Sequence, residues 1–145
     1  MDLNLKKLLK IYISLLSERN QHLFAVWCIE KSLSEFYNDP RSVAAIKAKK
    51  QWLDGKISDK ELYEARKTAS SFDILEGLTT ASADFAMAVS MVAIQNSAKS
   101  ALETSKGIQN TYRWFLDESV LTNELTEQLC WVMKVLSEQL KKKKR

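Results

Sequence analysis

The chain is 145 residues long, the length of one domain, with 46% hydrophobic and 28% charged side chains; this excludes a disordered or collagen-like polypeptide. Three glycines and one proline are too few for the turns of an all-β fold, so an all-α protein is predicted. The formal net charge is +4, but Lys141–Arg145 are all basic, which leaves the rest of the chain weakly acidic and without a broad nucleic-acid face.

Leu5, Leu8, Leu9, Tyr12, Leu15 and Leu16 recur at helical spacing behind Asp2, a residue suited to a helix start. This amphipathic helix carries lysines outward and lacks the small-residue cleavage site of a signal peptide. A second helix, from Glu18 to about Tyr37, sets Leu23, Val26, Trp27, Leu33 and Phe36 on a broad stripe. Glu18 and His22 stand one turn apart, which reads as a surface pair.

Asn38-Asp39-Pro40 interrupts the pattern, since proline suits a first helical turn and Asp39 can cap it. A third helix, Pro40–Asp54, turns Ala45, Ile46, Ala48, Trp52 and Leu53 inward and stops at Gly55, where a left-handed residue is commonly needed. Ser58-Asp59-Lys60-Glu61 is a capping box flanked by Ile57 and Leu62 as the hydrophobic staple. The fourth helix is predicted to run to about Glu76 and to turn at Gly77.

From Thr79 to about Thr104, alanines alternate with Phe85, Met87, Val89, Met91, Val92 and Ile94, as expected for a helix buried on several sides. A shorter helix follows Gly107, over Ile108–Glu118, and a last one, Thr122–Lys141, aligns Leu125, Leu129, Val132, Met133, Leu136 and Leu140. The predicted architecture is a compact bundle of six to seven helices around the alanine-rich central helix. Residues 1–140 form one domain and 141–145 a basic C-terminal tail.

The chemistry is sparse. His22 is the only histidine, which excludes two-histidine zinc motifs and paired Glu-x-x-His di-iron sites. Cys28 and Cys130 lie far apart in apolar patterns and read as buried, reduced thiols. There is no phosphate loop, dinucleotide glycine pattern or nucleophile elbow. No catalytic residue, metal or cofactor is therefore expected, and the chain does not read as an enzyme. The apolar stretch Phe85–Ile94 is about half the ~20 residues of a membrane span, so a cytoplasmic protein is expected.

Basic residues are better dispersed around the third and fourth helices. Arg41, Lys49, Lys56 and Lys60, with Trp52 beside them, form a candidate contact face for an anionic partner. Trp52 also falls on the Ala45–Ala48 side, which suits a core residue, and Arg41 is equally placed to bond Asp39.

Three linked pieces, "AVWCIEKSLSEF" (Ala25–Phe36), "DPRSVAAIKAKKQWLDGKI" (Asp39–Ile57) and "KELYEARKTA" (Lys60–Ala69), resemble a family of small bacterial immunity proteins, the immunity-five-like group of polymorphic toxin systems. Asp39, Arg41, Ala45, Ile46, Ala48, Trp52, Gly55 and Ile57 follow the order of that family's Asp-x-Arg turn, Ala-Ile-x-Ala helix, tryptophan and Gly-x-Ile turn. The resemblance implies a protein partner, a cognate toxin neutralised by occlusion. Relatives often carry histidines in the fourth and fifth helices, where this chain has Phe72, Asp73, Phe85, Met91 and Gln95, so a site built on those histidines is not expected here.

Two other readings stand beside this one. The Lys141–Arg145 tail, with the basic hairpin, would suit nucleic acid or an anionic surface, and polar groups near Asp84 and Gln95 would suit a small ligand. Exposure of Trp27, Tyr63, Trp114 or Trp131 would point to a homodimer.

Overall fold

The computed structural model describes residues 2–33, 40–69, 80–115 and 117–143. Among them are seven helices and no strand: α1 (Asp2–Leu15), α2 (Glu18–Glu30), α3 (Pro40–Leu53), α4 (Asp59–Ala69), α5 (Thr80–Val92), α6 (Ser97–Arg113) and α7 (Glu118–Lys143). The all-α bundle is as predicted. Glu76 and Gly77, the predicted end of the fourth helix, lie outside the described residues, as do Phe36, Tyr37, Asp39, Phe72 and Asp73.

α1 packs along α7, joining the first and last helices of the fold. Its buried stripe is Leu9, Ile13 and Leu16, whereas Leu8 and Leu15 are 41% and 57% exposed, so the face turned to the core is rotated from the predicted one. α2 starts at the Ser17 cap, whose side chain accepts from the Asn20 N–H at 3.2 Å. It ends at Glu30, well before Tyr37, where the Lys31 N–H bonds back to the last carbonyls. Phe24 and Trp27 of α2 meet Trp131 of α7 at ring distances of 5.5 Å each. Phe24, Ile29, Phe85, Leu125 and Val132 centre the main core, each fully buried side chain contributing roughly 1.5–3 kcal/mol.

The alanine-rich segment is central, but it is two helices instead of one. α5 contacts α2, α3, α4 and α6, and α6 contacts α1, α2, α5 and α7. The break follows from Asn96, whose extended backbone (φ −71°, ψ 118°) and side chain, accepting from the Lys99 N–H at 2.9 Å, start a new helix. The last carbonyls of α5 are satisfied from outside the helix: Ser100 Oγ donates to Met91 and Val92 at 3.1 Å each. Gly107, predicted to precede a short helix, lies inside α6, where it lets α5 come close. A Cβ there would stand 2.6 Å from that of Ala88. α7 begins at Glu118, not Thr122, because the Asp117 carboxylate accepts from the Ser119 N–H at 2.9 Å and so caps the first turn.

One side chain from the far end of α7 holds the corner between α1 and α2. Gln139 Oε1 accepts from the Ser17 N–H at 2.9 Å and from Asn20 Nδ2 at 3.0 Å, while Gln139 Nε2 donates to the Leu15 carbonyl at 3.2 Å. Gln21 completes the corner by donating to the Ile13 carbonyl at 3.0 Å.

Candidate interaction surfaces

The α3–α4 hairpin, which carries the predicted contact face, is pinned by local bonds. At the end of α3 the Lys56 N–H reaches Gln51 O at 2.8 Å and the Gly55 N–H reaches Trp52 O at 3.0 Å. This pair of bonds closes a helix through a left-handed residue, and Gly55 has φ +74°. The capping box forms as predicted: the Glu61 N–H donates to Ser58 Oγ at 3.1 Å, and the Ser58 N–H to Glu61 Oε1 at 3.3 Å. Ile57 and Leu62 pack in the small core of this hairpin with Ala45 and Ala48. Trp52, half-buried, donates from its indole nitrogen to Asp59 Oδ1 at 2.8 Å and so ties the two helices across the turn.

This scaffold leaves Lys56 and Lys60 exposed at the turn end of the hairpin, Lys56 inside and Lys60 just beyond the Trp52–Asp59 tie in sequence. Arg41 is exposed at the other end, separated from Trp52 by about 17 Å of helix at 1.5 Å per residue. On α4 the exposed Tyr63 ring, weighed from the sequence only as a dimer contact, has the Arg66 guanidinium 5.5 Å from its centre. Their i, i+3 spacing was the available signal.

Lys49 is not part of that surface. Its exposure is 0%, and its Nζ donates to the Ile94 carbonyl beyond the end of α5 at 2.6 Å, lying 4.9 Å from the Trp52 ring centre. Burial pushes its amino group down to about 7. His22 is also interior and does not form the predicted surface pair with Glu18. Its ring meets Trp52 edge-on at 5.1 Å, and its buried Nδ1 has no hydrogen-bond partner. Burial, and then the nearby Lys49 charge, push His22 down to about 4, so the imidazole is neutral at pH 7. The pair caps and fills the junction of α2, α3 and α5. Among the described residues no three His, Cys, Asp or Glu side chains are grouped as a metal site requires.

A second polar cluster crosses α2 and α7. Lys31 is hydrogen-bonded to both oxygens of the Glu124 carboxylate and lies 3.6 Å from Glu127. Its Nζ also faces the Trp27 and Tyr112 rings, at 5.4 and 5.7 Å. Burial raises the Glu124 carboxyl above its usual range despite the opposing pull of Lys31. Cys28, beside this pair, is buried as predicted, and its thiol is pushed up by burial and by the Glu124 charge. Cys130 is instead exposed. The Asp84–Gln95 cluster does not assemble: Asp84 accepts from the Trp114 indole at 2.5 Å, and Gln95 donates to the Asp59 carbonyl at 3.0 Å. Asp84 stands inside α5, whereas Gln95 lies in the turn beyond its end at Val92.

Tyr63, Trp114 and Phe115 are about half exposed, while Trp27 and Trp131 are partly covered by each other. No helix among the described residues is long and apolar enough to cross a membrane. Comparison with protein-family models, with curated proteins and with solved structures finds no match to this chain.

Proposed function

We propose that this chain is a bacterial immunity protein, acting in the cytoplasm without chemistry of its own by covering a cognate toxin. The reading rests on the motif order from Asp39 to Ile57, and the observation that supports it most is the pinned α3–α4 turn. Bonds through Gly55, Ser58 and Trp52 fix the main chain that carries the exposed Lys56 and Lys60, which lowers the backbone ordering cost of binding a partner. The contact face is then Trp52, Lys56 and Lys60, extended along α4 by Tyr63 and Arg66, with Arg41 at its far edge. Tyr63 and Arg66 are of the types that dominate interface energetics, and the lysines would speed encounter with an acidic toxin surface.

Co-expression with the neighbouring open reading frames tests this reading. A stoichiometric complex that protects cells from the toxin, weakened at least tenfold by Lys56→Glu/Lys60→Glu, is the expected result. Failure to capture any encoded partner overturns it. A second reading draws on Lys141–Lys143, which continue α7 as an exposed helical turn, as an anchor for nucleic acid or an anionic surface. Deleting residues 141–145 would then abolish salt-sensitive binding to duplex or vesicles. A homodimer through Trp114 and Phe115 would appear as a doubled mass in solution.

A further inference from the structure

A groove of about 620 Å³ runs between α1 and α6, away from the α3–α4 hairpin. α1 contacts α6 less extensively than it contacts α7, and the groove between α1 and α6 is lined by four cations. Lys6 and Lys10 stand on α1, and Lys106 and Arg113 on α6; among the described residues one carboxylate, Glu103, lines the groove with them. None of the four cations joins an ion pair with a carboxylate among the described residues. Four like charges held around one recess repel one another and attract an anionic occupant.

The floor is ordered from within. Ser105 and Gln109 line the groove while only 3% and 7% exposed. Gln109 Nε2 donates to Ser105 Oγ at 3.0 Å, and Ser105 Oγ donates to Gln128 Oε1 of α7 at 2.5 Å. The Gln109 amide is thereby held at the groove wall with hydrogen-bonding capacity beyond this one bond, and Asn110 lines the groove beside it.

We infer that this groove binds an extended acidic peptide segment of a partner protein; this rests on the partner-binding reading above. The volume falls within the ~300–1,000 Å³ of built ligand sites. In an extended chain, side chains two residues apart lie on one face about 7 Å apart. Lys6 and Lys10, one turn apart on α1, are separated by about 6 Å of rise, so alternate acidic residues match the cationic row. Main-chain N–H and C=O groups match the amides of Gln109 and Asn110. Nucleic acid fits less well: no aromatic side chain among the described residues lines the groove for base stacking, and the recess is too small for a duplex.

Fluorescence anisotropy with a labelled eight-residue alternating Glu-Ala peptide tests the inference, using a Gln-Ala peptide and a deoxythymidine 12-mer as comparisons. Wild type should bind the acidic peptide and not the Gln-Ala peptide. Binding should weaken at least tenfold in Lys106→Glu/Arg113→Glu, whose fold is checked by circular dichroism, and stay unchanged in the charge-matched Lys47→Glu/Lys134→Glu, at two exposed lysines outside the groove. No binding by wild type, equal binding of the uncharged peptide, no loss in the groove variant, or tighter groove-dependent binding of the 12-mer would each overturn it. Partner capture separates the two ideas. A captured partner indifferent to Lys106→Glu/Arg113→Glu removes the groove and leaves the immunity reading. Peptide binding without any encoded partner does the reverse.

Discussion

Gly107 of α6 faces Ala88 of α5 so closely that one added methyl would sit 2.6 Å from the alanine Cβ. The contact sets how tightly the central pair of helices can cross. Gly107→Ala gains up to about 1 kcal/mol of helix propensity, but overpacking a filled interior costs typically ~1–3 kcal/mol. Net destabilisation is expected in urea unfolding, and Ala88→Gly in the same chain should recover part of it. A more stable single variant would show that the helices separate at no cost.

The Lys31–Glu124 pair should behave as one unit. Removing one member of a buried pair costs roughly 3–5 kcal/mol, and Lys31→Met belongs at the low end because its side chain keeps 15% exposure. Lys31→Met/Glu124→Leu should cost clearly less than the two single changes added together, since the second change removes the stranded charge. Strict additivity in a double-mutant cycle would mean that the two groups stabilise the fold independently.

His22 and Lys49 make stability rise with pH over two separate windows. The folded state holds His22 near 4 against an ordinary 6.5, so the unfolded chain takes up the proton first. Stability is lost as pH falls from about 6.5 to 4. Lys49 titrates near 7 when folded against an ordinary 10.5, so its burial weighs fully on the fold below pH 7, and the penalty fades as pH rises to 10.5. Denaturant unfolding at a series of pH values should show both limbs. Lys49→Met should flatten the alkaline limb and narrow the acid one, because part of the shift on His22 comes from Lys49. His22→Leu should flatten the acid limb alone.

Asn96→Ala removes the side chain that starts α6. A lost cap of this kind costs about 1 kcal/mol, and here the change should fall on the α5–α6 corner. Hydrogen exchange at Lys99 should accelerate more than at Ile108, deep in the same helix. Equal acceleration at both sites would place the effect on the whole fold.

Short-range chemistry was the most legible part of the sequence. Pro40, Gly55 and the Ser58–Glu61 box each act within a few residues, and the hairpin they define is the one observed. The Asn96 cap was hidden because apolar residues continue on both sides of it, so periodicity alone ran α5 and α6 together. Two side chains were misplaced although their spacing pointed inward. Lys49 follows Ala45 by four residues and precedes Trp52 by three, and His22 precedes Ala25, Val26 and Ile29 at helical intervals; charge outweighed position in reading both. The α1–α6 groove was beyond reach, since it depends on how two helices distant in sequence are spaced.

Gln139 bonds to Ser17 across 122 residues of chain and to Leu15 across 124. During synthesis, α1 and α2 therefore leave the ribosome long before the side chain that closes their shared corner has been translated. The elbow between α1 and α2 is thus sealed only by a residue made more than a hundred positions later, and until then the Ser17 N–H and the Leu15 carbonyl are left to water.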